Sequence, residues 1–100
     1  MIVKSHNAKS GMIVSVCDDE IIGKKYSEKG LVLDLGADFY KGEKMNSEKA
    51  MEKCKRAYII NAVGEESVAL VMKLGIIKNE NIIKIKGIPF VQCLLLQNEV

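Results

Sequence analysis

The chain has one histidine, His6, and three cysteines, Cys17, Cys54 and Cys93. A histidine beside a cysteine is the minimum for thiol chemistry, because the imidazole takes up the thiol proton. His6 stands beside the first predicted strand and Cys17 at the end of the second, and as neighbouring strands these make a pair across the first hairpin conceivable. Their spacing matches no nucleophile signature, so a packed thiol and a solvated imidazole are expected, with no assigned catalytic residue. The cysteines are odd in number, far apart and set among apolar residues. They read as small buried hydrophobes in a reducing compartment. There is no C-x-x-C, and the acidic run Asp18-Asp19-Glu20 fits no calcium loop. No metal and no cofactor are expected, and the run reads as a solvated cap.

Two other groups of residues have chemical potential. Between Lys41 and Arg56 stand six basic residues (Lys41, Lys44, Lys49, Lys53, Lys55, Arg56) against three acidic ones (Glu43, Glu48, Glu52), just after the aromatic pair Phe39-Tyr40. Ammonium and guanidinium groups beside exposed rings hold an RNA backbone and stack unpaired bases. The expected contacts are Phe39, Tyr40, Lys41, Lys44, Lys49, Lys53 and Arg56. Against this, the stripe is diluted by Glu, Lys orients phosphate less well than Arg, and no RNA-binding sequence motif is present. The alternative is a small-molecule binder or small enzyme with a polar pocket. Gly64 opens a predicted helix, where free N–H groups point outward. Tyr40, Glu43, Asn61, Glu65 and Gln92 are polar groups that could converge beside it. A lone glycine is far from a nucleotide-binding fingerprint, and Glu65 and Glu66 would repel an anion.

The elements that must position these groups follow from hydrophobic periodicity. Residues 1 to 5 read as a strand, and Met12 to Cys17 as a second, with Val14 and Val16 on one face and Ser15 and Cys17 on the other. A single helical turn follows the acidic run, and Lys24 to Gly30 reads as a charged loop. Leu31 to Leu35 is a third strand with Leu31, Leu33 and Leu35 inward, followed by an irregular loop from Gly36 to Glu43. Asn46-Ser47 caps a helix over about 48–57, whose apolar face is marked by Ala50, Met51, Cys54, Ala57 and Tyr58. Residues 58–63 suit either a strand or a continuation of the helix; their β-branched content favours the strand. Gly64 to Lys73 is a second helix, closed by Gly75 with Ile76 as its apolar contact. Ile82 to Lys86 is a strand with Ile83 and Ile85 inward. Phe90 to Leu96 is an apolar strand of the sheet interior, and Gln97 to Val100 read as a frayed end. The predicted fold is a single α+β domain over residues 1–100. Its sheet is mixed and mainly antiparallel, of about five to six strands, with two helices packed on one face.

One hundred residues support one hydrophobic core, and 48% hydrophobic with 28% charged residues is globular usage. The formal charge of +2 selects no partner by itself. No apolar run reaches the ~20 residues of a membrane span. The polar break by His6 comes too early for a secretory signal, so a cytoplasmic protein with no membrane partner is expected. If the Phe90–Leu96 strand lay at an edge, it would offer a route to a homo-oligomer.

Several strings together resemble a known family: Val14-Ser15-Val16-Cys17-Asp18, Gly23-Lys24, Leu33-Asp34-Leu35, Phe39-Tyr40-Lys41-Gly42-Glu43, Asn61-Ala62-Val63-Gly64-Glu65 and Gly87-Ile88-Pro89-Phe90-Val91-Gln92, with His6 before them. Their order and spacing are similar to the archaeal domain-of-unknown-function 424 family over nearly the whole chain. Phe90 stands where that pattern often has His, which argues against an acid–base role there. The resemblance implies an archaeal cytoplasmic protein with RNA-related, translation-related work, and supplies no reaction, substrate or binding residue. With the basic stretch, it makes a non-enzymatic module contacting RNA or a ribonucleoprotein the leading expectation.

Overall fold

The computed structural model describes residues 1–75 and 77–95. Alternation of apolar residues builds a six-stranded sheet from β1 (Ile2–Ala8), β2 (Gly11–Cys17), β5 (Glu43–Lys44), β6 (Ile59–Val63), β7 (Ile83–Ile85) and β8 (Ile88–Leu94). The strand order is β5-β1-β2-β6-β8-β7. Among the described residues only the β2–β6 pair is parallel; the other pairs are antiparallel. A two-stranded sheet, β3 (Lys25–Glu28) with β4 (Leu31–Asp34), lies apart from it in hydrogen bonding. The fold is therefore α+β, with a mixed and mainly antiparallel sheet. Residues 59–63 are a strand, as their β-branched content indicated.

Helices α1 (Ser47–Lys55) and α2 (Glu65–Met72) lie on one face of the large sheet. Period two on the strands meets period 3.6 on the helices there. Val3, Val14, Val16, Ile60, Ala62 and Val91 pack with Ala50, Cys54, Val68 and Val71. Asn46 starts α1 as read from the sequence, its Oδ1 accepting the Lys49 N–H at 2.9 Å. On the other face, a smaller apolar cluster lies at one end of the sheet. It joins Cys17, Val63 and Ile85 of the large sheet to Ile21, Leu33 and Leu35.

Several expectations are corrected. Lys24 to Gly30 is not a loop: it contains β3, whose one inward ring is Tyr26. The β3–β4 and β7–β8 connections are both Lys-Gly turns with positive φ at both residues (Lys29 50°, Gly30 84°; Lys86 54°, Gly87 79°). That backbone matches the twist of a two-residue hairpin. The β1–β2 loop is shorter than expected, since Ala8 already pairs with Gly11. Leu31 and Ile83 are half exposed rather than inward, at 50% and 49%, because the small sheet leaves its tip and the β7 edge uncovered. β8 lies between β6 and β7, with β7 pairing only its first residues, Ile88, Pro89 and Phe90. The expected contact of Ile76, the strand's last residue Leu96 and the end from Gln97 to Val100 lie outside the described residues.

Candidate functional site

Strand alternation sends Val3, Val14, Val16, Ile60, Ala62 and Val91 to the helices, so their sequence neighbours face the opposite side. On that helix-free face the register aligns Lys4 with Ser15, Ser15 with Asn61, and Asn61 with Gln92. Four polar side chains thus form one row across β1, β2, β6 and β8. The rows on either side are His6–Ile13–Ile59–Leu94 and Ile2–Cys17–Val63–Phe90.

A 3-10 turn, Asp38–Tyr40, sits over the β1–β2 end of this row. The Ser15 hydroxyl donates to the Phe39 carbonyl at 3.0 Å, and His6 Nε2 meets the same oxygen at 3.1 Å. A carbonyl only accepts, so the proton of this imidazole is on Nε2. These bonds fix the Phe39 ring flat against His6, with centroids 4.5 Å apart and planes 10° apart; Tyr40 meets Phe39 edge-on at 5.1 Å. Lys4 Nζ donates to the Asp38 carbonyl at 2.8 Å, and Lys41 lies 3.5 Å from the Asp38 carboxylate. Both partners of the Lys41–Asp38 pair are largely exposed, and such a pair contributes ~0–1 kcal/mol, so Lys41 is free to exchange partners. Tyr40 packs against the small apolar cluster, where burial, then the neighbouring Cys17, raises its phenol pKa.

The residues singled out in the sequence are split by the sheet. Phe39 and Tyr40 are on the helix-free side. Lys49 and Lys53 are on α1 and Arg56 caps its C-terminus; with Glu43, Met45 and Glu52 they line a groove of about 260 Å³. Lys44 pairs with Asp19 at 3.3 Å. Of the polar-pocket set, Asn61 and Gln92 are brought side by side. Glu43 faces the helix side with its strand partner Val3, and Gly64 and Glu65 lie at the start of α2.

The α2 start shows a group the sequence reading placed elsewhere. Asp18, expected to cap its own turn, is 4% exposed and caps α2 from across the chain. Its Oδ2 accepts the Glu66 N–H at 3.1 Å, and its Oδ1 accepts the Ser67 N–H at 2.8 Å and the Ser67 hydroxyl at 2.7 Å. Gly64 makes room for it: φ is +103°, and a Cβ there would collide with the Asp18 carboxylate. The spacing between Asp18 and Ser67 left no local signal for this cap. Beside it, Asp18, Glu20, Glu65 and Glu66 line a groove of about 290 Å³, whose acidity does not suit a phosphate. Ligand atoms of Asp18, Glu20 and Glu66 lie within 4.8 Å of one another, but both Asp18 oxygens are already engaged by α2.

The thiols are built for packing. Cys17 and Cys54 are fully buried. Burial pushes both pKa values up to about 12, helped at Cys17 by Asp18 and at Cys54 by Cys93. Thiols held protonated this way are poor nucleophiles.

With this geometry established, the family described as "Protein of unknown function (DUF424)" matches residues 6–96. The chain belongs to the DUF424 family. Among solved structures, this DUF424 chain is similar to an uncharacterized conserved protein from Methanopyrus kandleri, an archaeon. The two are 26% identical with a TM-score of 0.82, over 99% of this chain and 94% of the other. No curated protein matches it. No helix among the described residues is long and apolar enough to cross a membrane.

Proposed function

We propose that this protein is a non-enzymatic module that binds single-stranded RNA, free or within a ribonucleoprotein, on the helix-free face of its sheet. The observation that carries this reading is the Phe39 ring, locked on His6 by two hydrogen bonds to its own carbonyl and flanked by Lys4 and Lys41. A rigid, half-buried aromatic platform loses little conformational freedom on binding, and any base stacks on it. The two ammonium groups, both held at Asp38 beside the platform, supply the charge that meets the phosphates of a bound strand. Both helices lie on the far face, and at the end of the row Gln92 is exposed to a strand of nucleotides. On this reading Lys49 and Lys53 on α1 and Arg56 at its C-cap are outside the contact, while Phe39, Tyr40 and Lys41 keep the role expected from the sequence.

The test is fluorescence anisotropy with labelled single-stranded RNA across a salt series. Single-strand binding weakens with a log–log slope of about −0.7 per neutralised phosphate. Lys4→Ala and Lys41→Ala should each flatten that slope by roughly this amount. An absence of binding at low salt, or a slope unchanged in both variants, removes the reading.

A further inference from the structure

An acidic side chain stands inside the proposed contact. Asp38 directly precedes Phe39, and its carboxylate lies 3.5 Å from Lys41 Nζ. The Asp38 side chain is 90% exposed and, among the described residues, its carboxylate meets this lysine alone. The turn does not depend on that carboxylate, because the main chain holds it: the Asp38 carbonyl accepts the Lys41 N–H at 3.2 Å and Lys4 Nζ at 2.8 Å. A phosphate drawn to Lys41 approaches the same ammonium group, and the two anions repel each other across it. One of them has to leave.

We propose that the Asp38 carboxylate marks a phosphate subsite: it holds Lys41 in the free protein, is displaced by an RNA phosphate, and so acts as a built-in competitor that lowers affinity for the strand. This rests on the RNA-binding reading above. An exposed ion pair is weak enough for another anion to displace. The strand also brings a contact that the carboxylate lacks, since a base stacked on Phe39 carries its phosphate to the neighbouring Lys41. Lys4 is bonded to the Asp38 carbonyl and not to the carboxylate, so the competition acts on Lys41 and leaves Lys4 in place. Removing the charge of Asp38 therefore frees one cation of the site without disturbing the bonds that fix the platform, which run from Ser15 and His6 to the Phe39 carbonyl.

The experiment is a double-mutant cycle on Asp38 and Lys41, read by anisotropy with a labelled oligo(U) decamer at low salt. Asp38→Asn should tighten binding roughly two- to fivefold, the range of an exposed ion pair. In the Lys41→Ala background the same substitution should change nothing, because the cation it frees is gone. Asp38→Glu, which keeps the charge, should bind like the parent, and all variants should melt at the parent temperature. Unchanged or weaker binding by Asp38→Asn overturns the phosphate subsite and leaves RNA binding standing. An equal gain with and without Lys41 also overturns it, since the effect is then the general field of one lost negative charge. Binding by neither the parent nor any variant overturns both readings.

Discussion

Replacing Asp18 by Ala tests the physical argument for the α2 start. The carboxylate is the acceptor for the Glu66 N–H, the Ser67 N–H and the Ser67 hydroxyl. Glu66 is exposed, so water replaces the lost bond there at little cost. Ser67 is fully buried, so its two donors stay unpaired. An unpaired buried donor costs ~1–3 kcal/mol, the hydroxyl less than the amide because it can rotate. Loss of a negative charge at a helix N-terminus costs a further ~0.5–1 kcal/mol. Taken together, Asp18→Ala should lose about 3 kcal/mol, which in a domain of this length lowers Tm by roughly 12–24 °C. Ser67→Ala alone should cost ~1 kcal/mol, and the double variant less than the two singles combined, because they share partners. Urea unfolding followed by circular dichroism gives all of these values. Should Asp18→Ala stay within ~1 kcal/mol of the parent, with additive singles, the cross-chain cap is not what holds α2 in place.

Other outcomes follow from the same geometry. Gly64→Ala should be at least as damaging as Asp18→Ala, since it adds a clash to a positive φ; refolding yield and melting temperature report it. Iodoacetamide near pH 8 should label half-buried Cys93 first and leave Cys17 and Cys54 unmodified until the chain unfolds; rapid native labelling of Cys17 would contradict its packing, and intact mass reads the result. Unfolded thiols ionise near 9.0, whereas these two hold their protons to about 12, so the folded state binds more protons between those values. Stability should therefore fall as pH rises above about 9, and Cys54→Ala should reduce that slope. Phe39→Ala should weaken RNA binding by ~1–3 kcal/mol, or roughly 5- to 150-fold, while Lys49→Ala, Lys53→Ala and Arg56→Ala, in and just after α1, leave it nearly unchanged.

The large sheet was legible where one face is apolar and the other is not. Val14 and Val16 against Ser15 and Cys17 mark β2 at once, and Asn46 ahead of Ala50 and Cys54 marks α1. β3 was hidden because Tyr26 is the one apolar side chain among its four residues, and the Lys29-Gly30 turn lacks the usual Asn or Asp. The paired roles of Asp18 and Gly64 were not legible either, since the contact joins residues brought together only by the β2–β6 pairing. The basic stretch misled for a geometric reason. Between Tyr40 and Ser47 the chain rounds the sheet edge at β5, so residues close in sequence end on opposite faces. The reverse holds for Asn61 and Gln92, whose adjacency follows only from the β6–β8 register.

The most direct measurement is a two-dimensional ¹⁵N NMR titration of the labelled protein with single-stranded RNA. Perturbed resonances should map to Lys4, His6, Ser15, Phe39, Lys41, Asn61 and Gln92, with α1 and α2 silent. Shifts concentrated on Lys49, Lys53 and Arg56 would place the contact on the opposite face and contradict the account.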